Sequence, residues 1–301
     1  MRSVTASRTY MDTLVTIEVV GAESEPEGAS AMASAFGWFR EVERRCSRFD
    51  PESELMQLCE TVGKPVVVSQ LLFSALDFAV TMAVATNGAF DPSIGRLMEA
   101  RGFDTNYRTG ERLDHAVEPG SASFRDVRLD RSRRSVTLRR PMVLDLGAVA
   151  KGLAIDLASQ ALRAFPGFVV DAGGDLYASG VSPTGEPWRI GIHHPRNPGT
   201  LIDVVQVGDM AVCTSGDYER AGPRPGEHHL VDARTGRTVQ RLASVTAIAP
   251  TAMVADAMTT AAFALGPEAG VAFLEQEGVD AMLLTPGLER YETRGFGGHR
   301  A

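Results

Sequence analysis

The sequence predicts an α+β fold of mixed, largely antiparallel sheets with packed helices. Two observations point there. Segments with period-two apolar alternation and segments with helical apolar spacing are interspersed without strict βαβ alternation, which disfavours a doubly wound sheet. Several strand candidates are also short runs broken by Gly-rich turns. The 301 residues, 44% of them hydrophobic, are enough for a sizeable core, and a single domain over 1–301 is expected.

The elements follow in order. "DTLVTIEVVG" alternates and ends in glycine, as a strand does. "EGASAMASAFGWFREVERRCSRF" has apolar residues at helical spacing and a charged C-terminal half, the pattern of an amphipathic helix. "SQLLFSALDFAVTMAVATNGAF" predicts a second helix closed at Asn87-Gly88, where the backbone can turn left-handed. A polar stretch with Gly and Pro, 104–123, is the candidate flap or subdomain boundary. In 121–140 "DVRL" and "SVTL" flank a charged turn and predict a hairpin, with "MVLDLG" as a further strand. "GFVVDAGGDLYASG", "PWRIGIHHP" and "DVVQVGDMAVCTSGDYER" are strands broken by turns. "ASVTAIAPTAMVADAMTTAAFALG" is a strand followed by a helix of small residues. The last segment, from "AGVAFLEQEG" to "RYETRGF", adds a helix and two short strands.

Composition excludes some functions. A net charge of -8 provides no basic surplus for neutralising phosphates, so nucleic-acid binding is not expected. No run of about 18 apolar residues suggests a membrane span. The N-terminus lacks the apolar core of a secretory signal. Cys46, Cys59 and Cys213 are odd in number and scattered, which suits free thiols in a reducing cytosol.

Four stretches are candidates for chemistry. In "DLGAVAKG", Gly147 and Ala148 let backbone approach a ligand, and Lys151 faces the same space as the N–H groups of the following helix. That suits a phosphate-like anion, with a loop carbonyl as a hard-metal ligand, while a tight turn with a surface lysine fits equally well. The P-loop pattern is absent. Asp256 and Thr260 stand at i and i+4 of a helix, where a carboxylate and a hydroxyl can present oxygens to Mg²⁺ or hydrogen-bond each other on a solvated face. His228-His229 precede Asp232, and a histidine near a carboxylate is a candidate general base. A second pair, His193-His194, adds no zinc spacing. Asp91 and Asp175 each adjoin Gly-containing turns, where an Asx-turn is the ordinary role.

Taken together and in order, these blocks carry more. The chain resembles the ApbE-type FAD:protein FMN transferases from about residue 8 to 290. The resemblance rests on "MDTLVTIEV", "CSRFDPESEL", "NGAFDPSIGRL", "VLDLGAVAKGLAID", "VDAGGDLYASG", "SGDYER", "HHLVDARTG" and "TAMVADAMTTAAFALG". It implies an ApbE-like, T-fold-related architecture and an enzyme that splits FAD with Mg²⁺. FMN would go to a threonine or serine of an acceptor protein, with release of AMP. By the same resemblance the metal ligands are Ala148, through its carbonyl, Asp256 and Thr260. The flavin-site positions are Met11, Phe49, Ala89, Phe90, Asp91, Lys151 and Asp175. His228 and His229 are the catalytic candidates, with His229 favoured as the base.

Three positions depart from the family pattern: Asp12 where glycine is usual, Phe49 where an aromatic hydroxyl is common, and Cys59 near a usual asparagine. Family members are often exported lipoproteins, yet no lipobox cysteine is present, so the expectation is either a cytoplasmic protein or an exported one whose leader lies outside this sequence. Two rivals use the same residues: a Mg²⁺-dependent FAD pyrophosphatase giving FMN and AMP, and a non-catalytic FAD-binding protein.

Overall fold

In the computed structural model, which describes residues 1–301, the alternating N-terminal segment forms a hairpin of β1 (Ser3–Tyr10) and β2 (Thr13–Val20). Its two turn residues, Met11 and Asp12, have φ of 52° and 62°. Positive φ at both central positions is the turn geometry whose twist matches that of the strands it joins. Helix α1 (Glu25–Cys46) starts two residues before the expected segment, because Ser24 caps it through the Glu27 N–H and Pro26 fits its first turn. Then come α2 (Glu54–Cys59), β3 (Val66–Val67), α3 (Gln70–Ala85) and α4 (Gly95–Ala100). Helix α3 closes at Asn87 and Gly88, both left-handed, as expected.

Residues 104–123 form no helix or strand beyond one isolated bridge, Thr105 to Arg112. The expected hairpin is β4 (Val127–Asp130) and β5 (Ser135–Leu138), and β3 joins it in a three-stranded sheet. Helix α5 (Gly147–Gln160) leads to β6 (Gly167–Ala172), β7 (Asp175–Gly180), β8 (Trp188–His193), β9 (Leu201–Val207) and β10 (Met210–Gly216). A small pair, β11 (Val231–Asp232) and β12 (Arg237–Thr238), precedes β13 (Ser244–Ala249) and α6 (Ala252–Leu265). Helix α7 (Pro267–Gln276), β14 (Asp280–Leu284) and β15 (Arg290–Glu292) complete the chain's main elements.

The central sheet has eight strands in the order β1-β2-β6-β7-β10-β13-β14-β15, all pairs antiparallel. Its period-two pattern sorts side chains onto two faces. Val245, Ala247 and Ala249 of β13 join the main core with α5 and α6, while Ile248 turns to a smaller cluster with Trp188 and Val205 of the β8–β9 hairpin. Helices therefore cover one face and a hairpin the other. No helix is long and apolar enough to cross a membrane.

Two local expectations need correction. "MVLDLG" is not a strand. Met142, Val143 and Leu144 are buried, but their backbone bonds go sideways: Gly95 N–H donates to the Val143 carbonyl at 3.0 Å, and Leu144 N–H to Cys59 Sγ at 3.4 Å. A run that alternation alone marks as a strand has no partner strand here. The small-residue segment after it is not a loop either, since Gly147 to Lys151 is already the first turn of α5.

Candidate functional site

The site is built where α5, α6 and the β7–β10 pair meet. Asp145 stands just before α5 and accepts from Gly147 N–H at 2.7 Å and from Arg48 Nε at 2.7 Å. It holds the helix start. Gly152 sits where α5 crosses α6. A Cβ there would lie 2.4 Å from the Ala252 carbonyl oxygen and 2.5 Å from Met253 Cα, so only glycine permits this approach. In return Gly152 N–H donates to Asp256 Oδ2 at 3.2 Å, and Asp156 of α5 accepts from the Ala252 and Met253 N–H groups at 2.7 and 2.9 Å. Burial pushes the Asp156 carboxyl up to about 6.

Lys151 extends from the same turn, forms an ion pair with Asp175 Oδ2 and lies 3.8 Å from Asp256 Oδ1. Asp175 opens β7 and also accepts from Thr214 N–H at 2.7 Å. Both carboxylates are buried, at 2% and 4% exposure. Burial raises the Asp256 carboxyl above its usual range, and the Lys151 charge opposes that rise. Thr260, one turn after Asp256, is 3.3 Å from Ser215 Oγ, which is also 2.9 Å from Thr259 Oγ1. Ala148 lies one turn before Gly152, with its carbonyl directed along the helix toward it. Lys151, Asp175 and Asp256 thus form one cluster, with Thr260 one turn along α6 from Asp256 and Ala148 one turn before Gly152.

The two histidines differ sharply. They do not lie on a strand; only His228 makes an isolated bridge, to Ala221, before β11 begins. The His228 ring is buried and fully used. Nε2 donates to the Val239 carbonyl at 2.9 Å, Nδ1 accepts from Leu230 N–H at 3.3 Å, and the ring meets Phe263 edge-on. His229 is half-buried beside Phe103, and its Nδ1 is buried without a hydrogen-bond partner. Burial, reinforced by the Arg220 charge, lowers its basicity to about 3, which leaves a neutral imidazole.

A cavity of about 910 Å³ opens from Lys151 toward the C-terminal half of α1. Met11 and Phe49 line it with Lys151, and the Arg48 guanidinium stacks 4.0 Å above the Phe49 ring. Ala89, Phe90 and Asp91 do not line it. They are buried, and Asp91 accepts from Ser93 N–H at 2.8 Å and Phe124 N–H at 3.0 Å, an Asx-turn tied to a second segment.

Several lining residues carry no obvious sequence signal. Glu43 accepts from Met11 N–H at 3.2 Å, from Tyr107 Oη at 2.7 Å, and from Arg108. Asn106 donates to the Phe49 carbonyl at 2.9 Å. The stretch 104–123 therefore forms a wall of the cavity, strapped to α1. Arg220 adds positive charge from the "SGDYER" segment, whose order alone gave no role for it.

The chain matches the ApbE family model over residues 11–283. It is 32% identical to the FAD:protein FMN transferase of Treponema pallidum, over 95% of this chain and 85% of that one. Identity to a FAD:protein FMN transferase of Klebsiella pneumoniae is 33%, over 78% of this chain and 75% of that one. The crystal structure of the ApbE protein of Thermotoga maritima superposes with a TM-score of 0.88 at 28% identity, covering both chains completely. With the family match spanning nearly the whole chain and the fold superposing end to end, the chain belongs to the ApbE family.

Proposed function

We propose that this chain transfers FMN from FAD to a threonine or serine hydroxyl of an acceptor protein, with Mg²⁺, and releases AMP. One observation carries the reading: a cavity of about 910 Å³ with an arginine-stacked aromatic at Phe49 reaches a lysine held between two buried carboxylates. Phe49 and Arg48 suit a flat heteroaromatic ring. Lys151 and Arg220 suit the diphosphate that joins the two nucleotide halves. The names of the relatives support FAD as substrate and a protein as acceptor.

The residues fit a hard divalent cation. Asp256 is buried with one N–H donor and a lysine at 3.8 Å, so its negative charge is incompletely compensated. Asp256, Thr260 and the Ala148 carbonyl offer oxygens only. No group of three or more His, Cys, Asp or Glu side chains is placed to hold a metal, so the remaining positions would fall to water and phosphate, as Mg²⁺ accepts. The ion would supply charge neutralisation at the pyrophosphate. The chain's own groups do the rest. Lys151 and Arg220 orient the diphosphate and favour charge developing on it. His229, a neutral imidazole, is the residue proposed to take the proton of the attacking hydroxyl.

Asp256→Asn tests the metal assignment. The neutral isostere should abolish the Mg²⁺-dependent rise in melting temperature and reduce AMP release on the order of a hundredfold or more. An unchanged Mg²⁺ response would remove Asp256 from the ligand set.

A further inference from the structure

The strongest feature outside the site is electrostatic. Between residues 124 and 141 lie seven arginines, at 125, 128, 131, 133, 134, 139 and 140, against only Asp126 and Asp130, in a chain whose net charge is -8. All seven are exposed, and they decorate the β4–β5 hairpin and its flanks. Both acids are already engaged. Asp130 accepts from Ser132 and the Arg133 N–H, and Asp126 accepts from Ser123 N–H with Arg140 3.6 Å away. Arg131 pairs with Asp77 at 2.9 Å, but Arg128, Arg133, Arg134 and Arg139 form no ion pair. Concentrating unpaired like charge in one hairpin opposes its own folding through repulsion. Folding does not require these arginines, since the hairpin's core face is Val127, Leu129, Val136 and Leu138.

Apolar surface lies beside this charge. β3 pairs with β5, and its Val67 is 70% exposed opposite Ser135, with Val62 at 37% on the same sheet and exposed Lys64 between them. The surface has no exposed aromatic side chain, since Phe124 is buried. Folded protein partners are usually gripped by aromatic or arginine anchors buried in pockets, whereas here the arginines are solvent-exposed and no aromatic side chain is exposed beside them. Unpaired arginines with a few protruding valines instead match a fluid layer of phosphates over hydrocarbon.

We propose that the β3–β5–β4 sheet docks the protein on an anionic phospholipid bilayer. Arg128, Arg133, Arg134 and Arg139 meet the headgroup phosphates, and Val67 enters the interface. This inference does not depend on the proposed reaction.

Co-sedimentation with vesicles tests it on the full chain. Vesicles of phosphatidylcholine with about one-third phosphatidylglycerol should bind the protein at about 50 mM salt, and binding should collapse at about 0.5 M. Pure phosphatidylcholine vesicles should not bind it. The triple variant Arg128→Glu/Arg133→Glu/Arg134→Glu should bind on the order of a hundredfold more weakly. Arg163→Glu/Arg189→Glu/Arg237→Glu makes the same charge change at exposed positions elsewhere and should bind nearly as wild type. Val67→Ser, with charge unchanged, should weaken binding several-fold. Circular dichroism melts establish that each variant is folded. The proposal is overturned if the wild type ignores anionic vesicles, if both triple variants lose binding equally, or if poly-glutamate binds the hairpin while vesicles do not.

Discussion

At the scale of single residues, the two adjacent histidines offer the cleanest contrast. His228 spends both ring nitrogens on backbone groups, so His228→Ala should cost about 1–3 kcal/mol by leaving buried partners unsatisfied. A lowered denaturation midpoint would show it. His229→Ala should leave stability nearly unchanged yet slow FMN transfer by about 10²–10⁴, with FAD affinity retained. Equal transfer defects in equally folded variants would contradict this division of labour. The pH dependence follows from the lowered basicity of His229, to about 3. Below about pH 6.5 the unfolded chain binds a proton that the folded chain refuses, so this group's contribution is undiminished above 6.5 and falls as pH drops toward 3. Titration of Tm for wild type and His229→Gln should show a shallower acid-side decline in the variant. Asp12 is a different case: its φ of 62° explains why glycine suits that turn.

At the scale of elements, the α5–α6 crossing places the chemistry. Gly152→Ala must push α6 away from α5, because backbone rather than a flexible side chain stands in the way. We expect a loss of about 1–3 kcal/mol, read as a lowered Tm, together with weaker Mg²⁺ response through the displaced Asp256. An alanine variant with wild-type stability and metal response would show that the close approach is not needed. The 104–123 wall hangs on Glu43, which ties Met11, Tyr107 and Arg108 to α1. Glu43→Gln should weaken FAD binding about tenfold, measurable by flavin fluorescence, with kcat less affected. Much of this scale was legible in the sequence. The two long helices, the 121–140 hairpin and the Asp256–Thr260 face all follow from periodicity. Residues 142–146 misled because an apolar run says that a segment is buried, not what its backbone pairs with. Glu43 gave no signal, because its three partners come from two distant segments.

For the whole molecule, one antiparallel sheet with helices on one face and a hairpin on the other brings four remote segments to Lys151. Ordered motif blocks were enough to anticipate the family, which the match over residues 11–283 bears out. They could not distinguish residues that line the cavity from those that brace it. The sequence places Ala89, Phe90 and Asp91 with Met11 and Phe49; in the structure Met11 and Phe49 line the cavity, while the other three are buried and Asp91 accepts from the Phe124 N–H. Lys151 had a signal that only composition reveals, since it and Lys64 are the sole lysines among thirty basic residues. The most direct test of the central claim is to incubate the purified chain with FAD and an acceptor peptide bearing a threonine, with and without Mg²⁺, and to quantify AMP, free FMN and peptide mass. AMP and a peptide heavier by one FMN, both only with Mg²⁺, are the expected products. AMP with free FMN and no adduct on any acceptor, or FAD bound and uncleaved in every condition, would contradict that claim.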